Sequence, residues 1–386
     1  MPRHNAAIDY LRAFIIVLVL MHHSIIAYAP YATFNPVHFL WSAPIVDSRR
    51  WVGFDPLTLF NDIYFMSLMF FISGLFVWSG LVRKGARQFL RDRLLRLGVP
   101  FLLAVTVLMP IAFYPSFRMT GADSGFLAYW WRCFTVSAWP AGPAWFIWTL
   151  LAFDTTMAAI HQFAPRIGRR FEPAASQASS RPGQLILLFL AASGIVYLCL
   201  LLAFGRDKWF SYGPFSIQAS RVLFYFIYFA AGVGIGAVGI ERGLLANGGW
   251  LQLRWARWLR AGLAGFAVIV LFEVEKAKRG ADWPLLAWEP GFAVIFACAC
   301  AAMSLAMLAL FLRFANRPIP LFEALRGNAY GIYLTHYIFI IWLQYSLLDL
   351  SLPAPAKAAI VFSGTLCVSW SLIALLRRIP IVARII

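Results

Sequence analysis

The sequence predicts an all-α polytopic membrane bundle of about ten transmembrane helices, N-in and C-in. Two features of composition and one of pattern lead there. Of 386 residues, 62% are hydrophobic and only 13% charged, where a soluble domain has about a quarter charged, and mean hydropathy is +0.75. The apolar residues gather in runs of about twenty, long enough to cross ~30 Å of hydrocarbon as helices. Runs such as LILLFLAASGIVYLCLLLAF lack the alternation of a transmembrane β-barrel. These observations exclude a soluble globular protein.

In chain order the predicted spans are 8–29, 57–80, 96–115, 144–163, 184–204, 218–239, 258–273, 291–312, 329–349 and 358–376, the seventh being short. The first run ends in AYAPYATF without a cleavage site, so it reads as a span and not as a signal peptide. With the N-terminus inside, the inner segments hold 22 of the 33 Lys and Arg, while most acids fall outside; this is the positive-inside bias. The same bias accounts for the net charge of +17 without any nucleic acid. The stretch 164–183, APRIGRRFEPAASQASSRPG, reads as a flexible basic cytoplasmic linker inside a single domain covering 1–386. Four of the five cysteines lie in apolar runs, and Cys298 and Cys300 point to different faces, so neither a metal site nor a disulfide framework is expected.

Within these spans stand polar groups that lipid disfavours. Span one carries Arg12 at one end and His22 and His23 near the other. At about 100° and 1.5 Å per residue, Arg12 and His23 share a face, roughly 16 Å apart along the axis. His22 falls about 80° from Arg12, so the spacing pairs Arg12 with His23 and turns His22 elsewhere. Read plainly, Arg12 snorkels to headgroups and the histidines are a satisfied core residue and an interfacial one. Read functionally, His23 faces a polar cavity, where a neutral imidazole accepts a proton. Ser73 and Gly74 in FFISGLF (70–76) read first as helix packing. RKGARQFLRDRLLRLGVPF (83–101) reads first as a solvated positive-inside loop, yet Arg93 and Arg96 are helix neighbours able to hold phosphate. Asp154 and His336 are further intramembrane polar residues, and Asn61 and Asp62, which open span two on the outer side, read equally as interfacial polar residues.

Taken together and in order, these pieces resemble the acyltransferase 3 family of integral-membrane acyltransferases. The resemblance rests on Asp9 and Arg12 before span one, Arg12 and His23 eleven apart, FFISG (70–74), RDRLLRLGVP (91–100), GPAWFIW (142–148) and YGIYLTH (330–336), and covers nearly the whole chain. The HisSerIleIleAlaTyr from His23 looks most like the branch of the glucan biosynthesis protein C succinyltransferases. No SGNH-type esterase domain is expected after span ten. The resemblance implies transfer of an acyl group, acetyl or succinyl, from cytoplasmic acyl-CoA to a hydroxyl of an extracytoplasmic glycan or glycolipid, in a bacterial cytoplasmic membrane. It makes Arg12 and His23 the essential pair, with Asp9 beside them, and makes Arg91, Arg93 and Arg96 contacts for coenzyme A phosphates. His23 is then general base, or in a second variant a covalent acyl carrier. His336 or Asp154 is expected to orient it or stabilise the oxyanion, with Ser73 nearby in the chain's motif. Acyl-CoA is a co-substrate, no metal is expected, and oligomeric state is left open. The competing reading is a transporter or flippase of a lipid-linked sugar, against which the weak internal symmetry counts.

Overall fold

The computed structural model describes residues 6–135, 138–164, 173, 176, 180–280, 285–315 and 317–385. Its long helices are α1 (Ala6–Ile26), α2 (Phe54–Gly74), α3 (Val77–Met119), α5 (Trp145–Phe163), α6 (Pro182–Phe204), α7 (Val222–Val238), α8 (Trp255–Arg279), α9 (Leu285–Phe314), α11 (Ala329–Ser346) and α12 (Ala354–Leu376). Short helices α4 (Phe126–Thr135) and α10 (Pro320–Arg326) lie between them. A hairpin of β1 (Trp209–Tyr212) and β2 (Phe215–Gln218) sets Trp209 opposite Gln218. Each predicted span falls on a helix, and among the described residues seven helices are long and apolar enough to cross a membrane. The fold is an all-α multi-pass bundle. The predicted linker at 164–183 lies mostly outside the described residues.

One boundary differs from expectation. Span two ends at Gly74, and the basic stretch that reads as a loop is helical and continuous with span three. The cause is amphipathicity: Trp78, Leu81 and Phe89 are buried while Arg83, Lys84 and Arg87 face outward. Gly85, at φ 74, supplies a kink that an L side chain would resist.

Helix α3 also contains three prolines, and each leaves one carbonyl four residues back without its helical donor. In lipid such a group needs a partner from elsewhere. Pro100 frees the Arg96 carbonyl, which accepts from Tyr330 Oη at 2.6 Å. Pro110 frees Thr106, which accepts from Trp130 Nε1 at 2.8 Å. Pro115 frees Ile111, which accepts from Trp342 Nε1 at 3.0 Å. Two π turns, at Leu94–Gly98 and Ala104–Leu108, take up the local misfit. Two of the three donors sit on α11, so the defects of α3 become its attachment to α11.

Helices α2 and α7 meet almost backbone to backbone. A methyl on Gly74 would stand 2.2 Å from the Phe229 carbonyl oxygen, and methyls on Gly232 and Gly236 would stand 2.0 Å from those of Phe71 and Leu75. The four-residue spacing of Gly232 and Gly236 is the small-residue pattern of close membrane crossings. The packing role of FFISG is thus met by Gly74, while Ser73 Oγ donates to the Met69 carbonyl at 2.8 Å within its own helix.

The segments expected on one side come together at one end of the bundle. Tyr10 donates to Glu323, Arg377 Nη1 to Gly327, and Tyr330 to Arg96. At the opposite end Lys357 Nζ meets Asp47 at 2.6 Å, both fully buried, and Arg206 meets Glu273 at 2.5 Å and Glu289 at 2.8 Å.

Two outcomes follow. Trp342→Phe strands the Ile111 carbonyl and is expected to lose about 1–2 kcal/mol, read as a lower Tm in detergent; an unchanged Tm removes that bond from the account. Gly232→Leu is expected to drive α2 and α7 apart and to abolish the monodisperse peak in size-exclusion chromatography.

Candidate active site

Helix α1 ends at Ile26, and its last turn is held from outside: Gln344 Nε2, buried on α11, donates to the carbonyls of His23 at 3.0 Å and Ser24 at 3.3 Å. These are among the carbonyls that a helix end leaves unpaired. One side chain on α11 therefore fixes the turn that carries His22 and His23.

His23 lines a cavity of about 310 Å³ together with His22, Asp62, Tyr333, Tyr337 and Tyr225. The His23 ring lies 5.1 Å from that of Tyr337 and 5.6 Å from that of His336. His336 is fully buried, and its Nδ1 stands 2.6 Å from the Tyr333 carbonyl. A carbonyl accepts, so Nδ1 carries the proton and Nε2 is left as an acceptor. Among the described residues that Nε2 has no partner. Tyr333 Oη donates to the Pro143 carbonyl, tying YGIYLTH to the GPAW turn before α5. The hairpin closes the far wall, with Trp148 Nε1 donating to the Ser216 carbonyl at 3.0 Å. Asp62 is gripped by Arg221 through two bonds of 2.9 and 2.6 Å.

A second cavity, of about 380 Å³, lies at the other end and is lined by Arg83, Lys84, Arg93, Arg96 and Arg384, with Asp92. Lys84 is bonded to Asp92. Four guanidinium groups around one hollow are of a chemistry suited to phosphate or carboxylate oxygens, with Arg93 Nε already engaged by Asp154 at 3.1 Å. The two cavities share no lining residue. A chain of ring contacts runs between them: Tyr225 stacks on Phe70 at 5.1 Å, and Phe70 meets Phe153 at 5.2 Å, next to Asp154.

The expected site residues therefore do not gather in one place. His23 and His336 come together. Arg93 and Arg96 line the basic cavity, whereas Arg91 does not. Asp154 is not among the residues lining the His23 cavity; it is buried against Arg93, with Oδ2 3.1 Å from Nε. Arg12 lines neither cavity; it is 42% exposed and paired with Asp9 at 3.1 Å. Ser73 is turned into its own helix. His22, expected to point elsewhere, lines the same cavity as His23, with the two rings edge-on at 5.4 Å. The ~100° between successive residues does not keep His22 out, because the cavity is wide enough to reach both side chains.

Sequence reasoning missed Tyr337, Gln344 and the hairpin residues Trp209, Ser211, Ser216 and Gln218. Tyr337 and Gln344 are seven residues apart on α11 and so share a face, which is a signal; the hairpin has none. Among the described residues no group of three or more His, Cys, Asp or Glu is placed to hold a metal ion.

No curated protein and no solved structure matches this chain. A family model described as an acyltransferase domain matches residues 5–374. The chain belongs to the acyltransferase 3 family and is a multi-pass membrane acyltransferase.

Proposed function

We propose that this chain is an O-acyltransferase of a bacterial cytoplasmic membrane, moving an acyl group from cytoplasmic acyl-CoA to a hydroxyl of an extracytoplasmic glycan or glycolipid. The observation that carries this reading is the division of labour between the two cavities: four arginines line one, and a histidine pair flanked by tyrosines lines or backs the other. The basic cavity suits the phosphates of a nucleotide on the side where acyl-CoA is made, consistent with the inner placement of the basic segments.

In the outer cavity the hydroxyl of the acceptor approaches His23. An unprotonated ring nitrogen of His23 takes the hydroxyl proton as the oxygen attacks the thioester carbonyl. The tetrahedral adduct then collapses, the carbon–sulfur bond breaks, and the imidazolium returns the proton to the departing thiolate. His336, its tautomer set by the Tyr333 carbonyl, positions the neighbouring imidazole and does not itself touch the reacting atoms. For the thioester to reach His23, the arm that carries it must part the Phe70–Phe153 ring contacts. The adduct forms away from bulk water, which limits hydrolysis.

His23→Ala is expected to lower transfer in purified protein by roughly 10²–10⁴ while leaving Tm intact; unchanged transfer removes the assigned role. His22→Ala is expected to lower it far less. Arg96→Ala is expected to raise KM for acyl-CoA about tenfold at constant kcat, whereas movement of substrate with no change in its mass would favour the flippase instead.

A further inference from the structure

The outer cavity is unusual in what surrounds the histidines. Trp41, Trp139, Trp145 and Trp209 line it, and Trp41 and Trp209 keep 51% and 43% of their surface exposed, so their ring faces are offered at the mouth. Trp145 and Trp209 meet at 6.0 Å with an interplanar angle of 81°, forming a corner. The lining also carries the polar groups of Ser42, Ser211, Ser216 and Gln218; Ser211 Oγ donates to Ser216 Oγ at 2.9 Å and Gln218 Nε2 to the Arg206 carbonyl at 2.5 Å, which leaves the Gln218 Oε1 to accept from a hydroxyl. Flat indole faces attract the polarised C–H bonds of a sugar ring, and a few neutral hydrogen-bonding groups fix its hydroxyls.

Charge is the second feature. Among the described residues no lysine or arginine lines this cavity, and its one carboxylate, Asp62, is closed by Arg221. Three further outer cations are paired with carboxylates, Arg118 with Asp123, Arg206 with Glu273 and Glu289, and Lys357 with Asp47. An anionic group entering here would lose its water and meet no lysine or arginine on the lining to compensate its charge.

We propose that the outer cavity selects uncharged partners on both sides of the transfer: a neutral pyranose ring seated on the tryptophan corner, and an acyl group that bears no carboxylate. This rests on the acyltransferase reading above. It assigns Trp209 and Gln218 to acceptor recognition, and it assigns the Asp62–Arg221 pair to specificity, because the pair neutralises a guanidinium bonded to a residue that lines the cavity. An acetyl group fits this description and a succinyl group does not.

The test uses full-length protein in nanodiscs. Saturation-transfer NMR compares methyl β-glucopyranoside with methyl β-glucuronide, independently of turnover. The neutral glycoside is expected to bind at least tenfold more tightly, and Trp209→Leu to weaken it; equal or tighter binding of the uronide, or binding of neither, overturns the proposal. In parallel, acetyl-CoA is expected to support transfer with kcat/KM roughly a hundredfold above that of succinyl-CoA, and equal use overturns the donor half. Asp62→Asn frees Arg221 and is expected to narrow both preferences. Where that variant does not fold, Ser211→Lys places a cation in the same wall and is expected to do the same; preferences unmoved by the added charge overturn the charge argument. Failure of the acyltransferase reading shows separately, as glycoside binding that persists while no acyl-CoA is consumed.

Discussion

A backbone group inside a membrane has no water to fall back on, and this constraint organises the molecule. Helix α3 breaks its own hydrogen-bond ladder at Pro100, Pro110 and Pro115, and aromatic side chains from other helices repair each break. Helix α11 does most of this repair. Tyr330 reaches Arg96, Trp342 reaches Ile111, Tyr333 reaches Pro143 before α5, and Gln344 reaches the end of α1. The same helix carries His336 and Tyr337 to His23. Structural bonding and site assembly are thus one set of contacts. A helix held at four points along its length keeps its imidazole in place more firmly than a loop would.

The constraint also separates the two ends. Charged groups concentrate toward the two ends of the bundle: Arg83, Arg93, Arg96 and Arg384 around one cavity, and the closed pairs Asp47–Lys357, Asp62–Arg221 and Arg206–Glu289 at the other. The middle is filled by rings, with Phe70 touching Phe146, Phe153 and Tyr225. Asp154 is the exception in the middle, and it is held by Arg93. Removing either partner leaves the other buried and unpaired, which costs far more than the pair itself gains. The pair therefore anchors one wall of the basic cavity, and Arg93 serves that cavity with only part of its donor capacity.

Much of this was legible from residues alone. Apolar runs of membrane length located each long helix, because hydrophobic length is a local property that lipid enforces. The spacing of Arg12 and His23 placed His23 at depth, and the isolated polar residue His336 stood out because lipid disfavours it. The partners were less legible. Prolines announce that a carbonyl is freed, but nothing in the sequence says that Tyr330, Trp130 and Trp342 will take those carbonyls. The basic stretch after Gly74 read as a loop since its charges dominate its mean hydropathy, while its buried face, Trp78, Leu81 and Phe89, shows only at helical spacing. Hairpin Trp209–Gln218 has neither length nor apolarity to mark it, yet it walls the cavity.

Arg12 shows most clearly how far spacing can carry an argument. Its shared face with His23 is a property of one ideal helix, and α1 is unbroken from Ala6 to Ile26, so the alignment holds. Alignment along an axis is still not contact. Over roughly 16 Å the guanidinium belongs to a different environment, with Asp9 at 3.1 Å and with Tyr10 bonded to Glu323 beside it. Any influence of Arg12 on transfer must then pass through a molecule long enough to touch both levels or through the seating of α1 against α10. An extended thioester arm satisfies the first route and a fixed Asp9–Arg12 pair the second. The two differ in one respect: an arm-binding arginine acts on KM for the acyl donor, while a seating arginine acts on the height of His23 and hence on kcat.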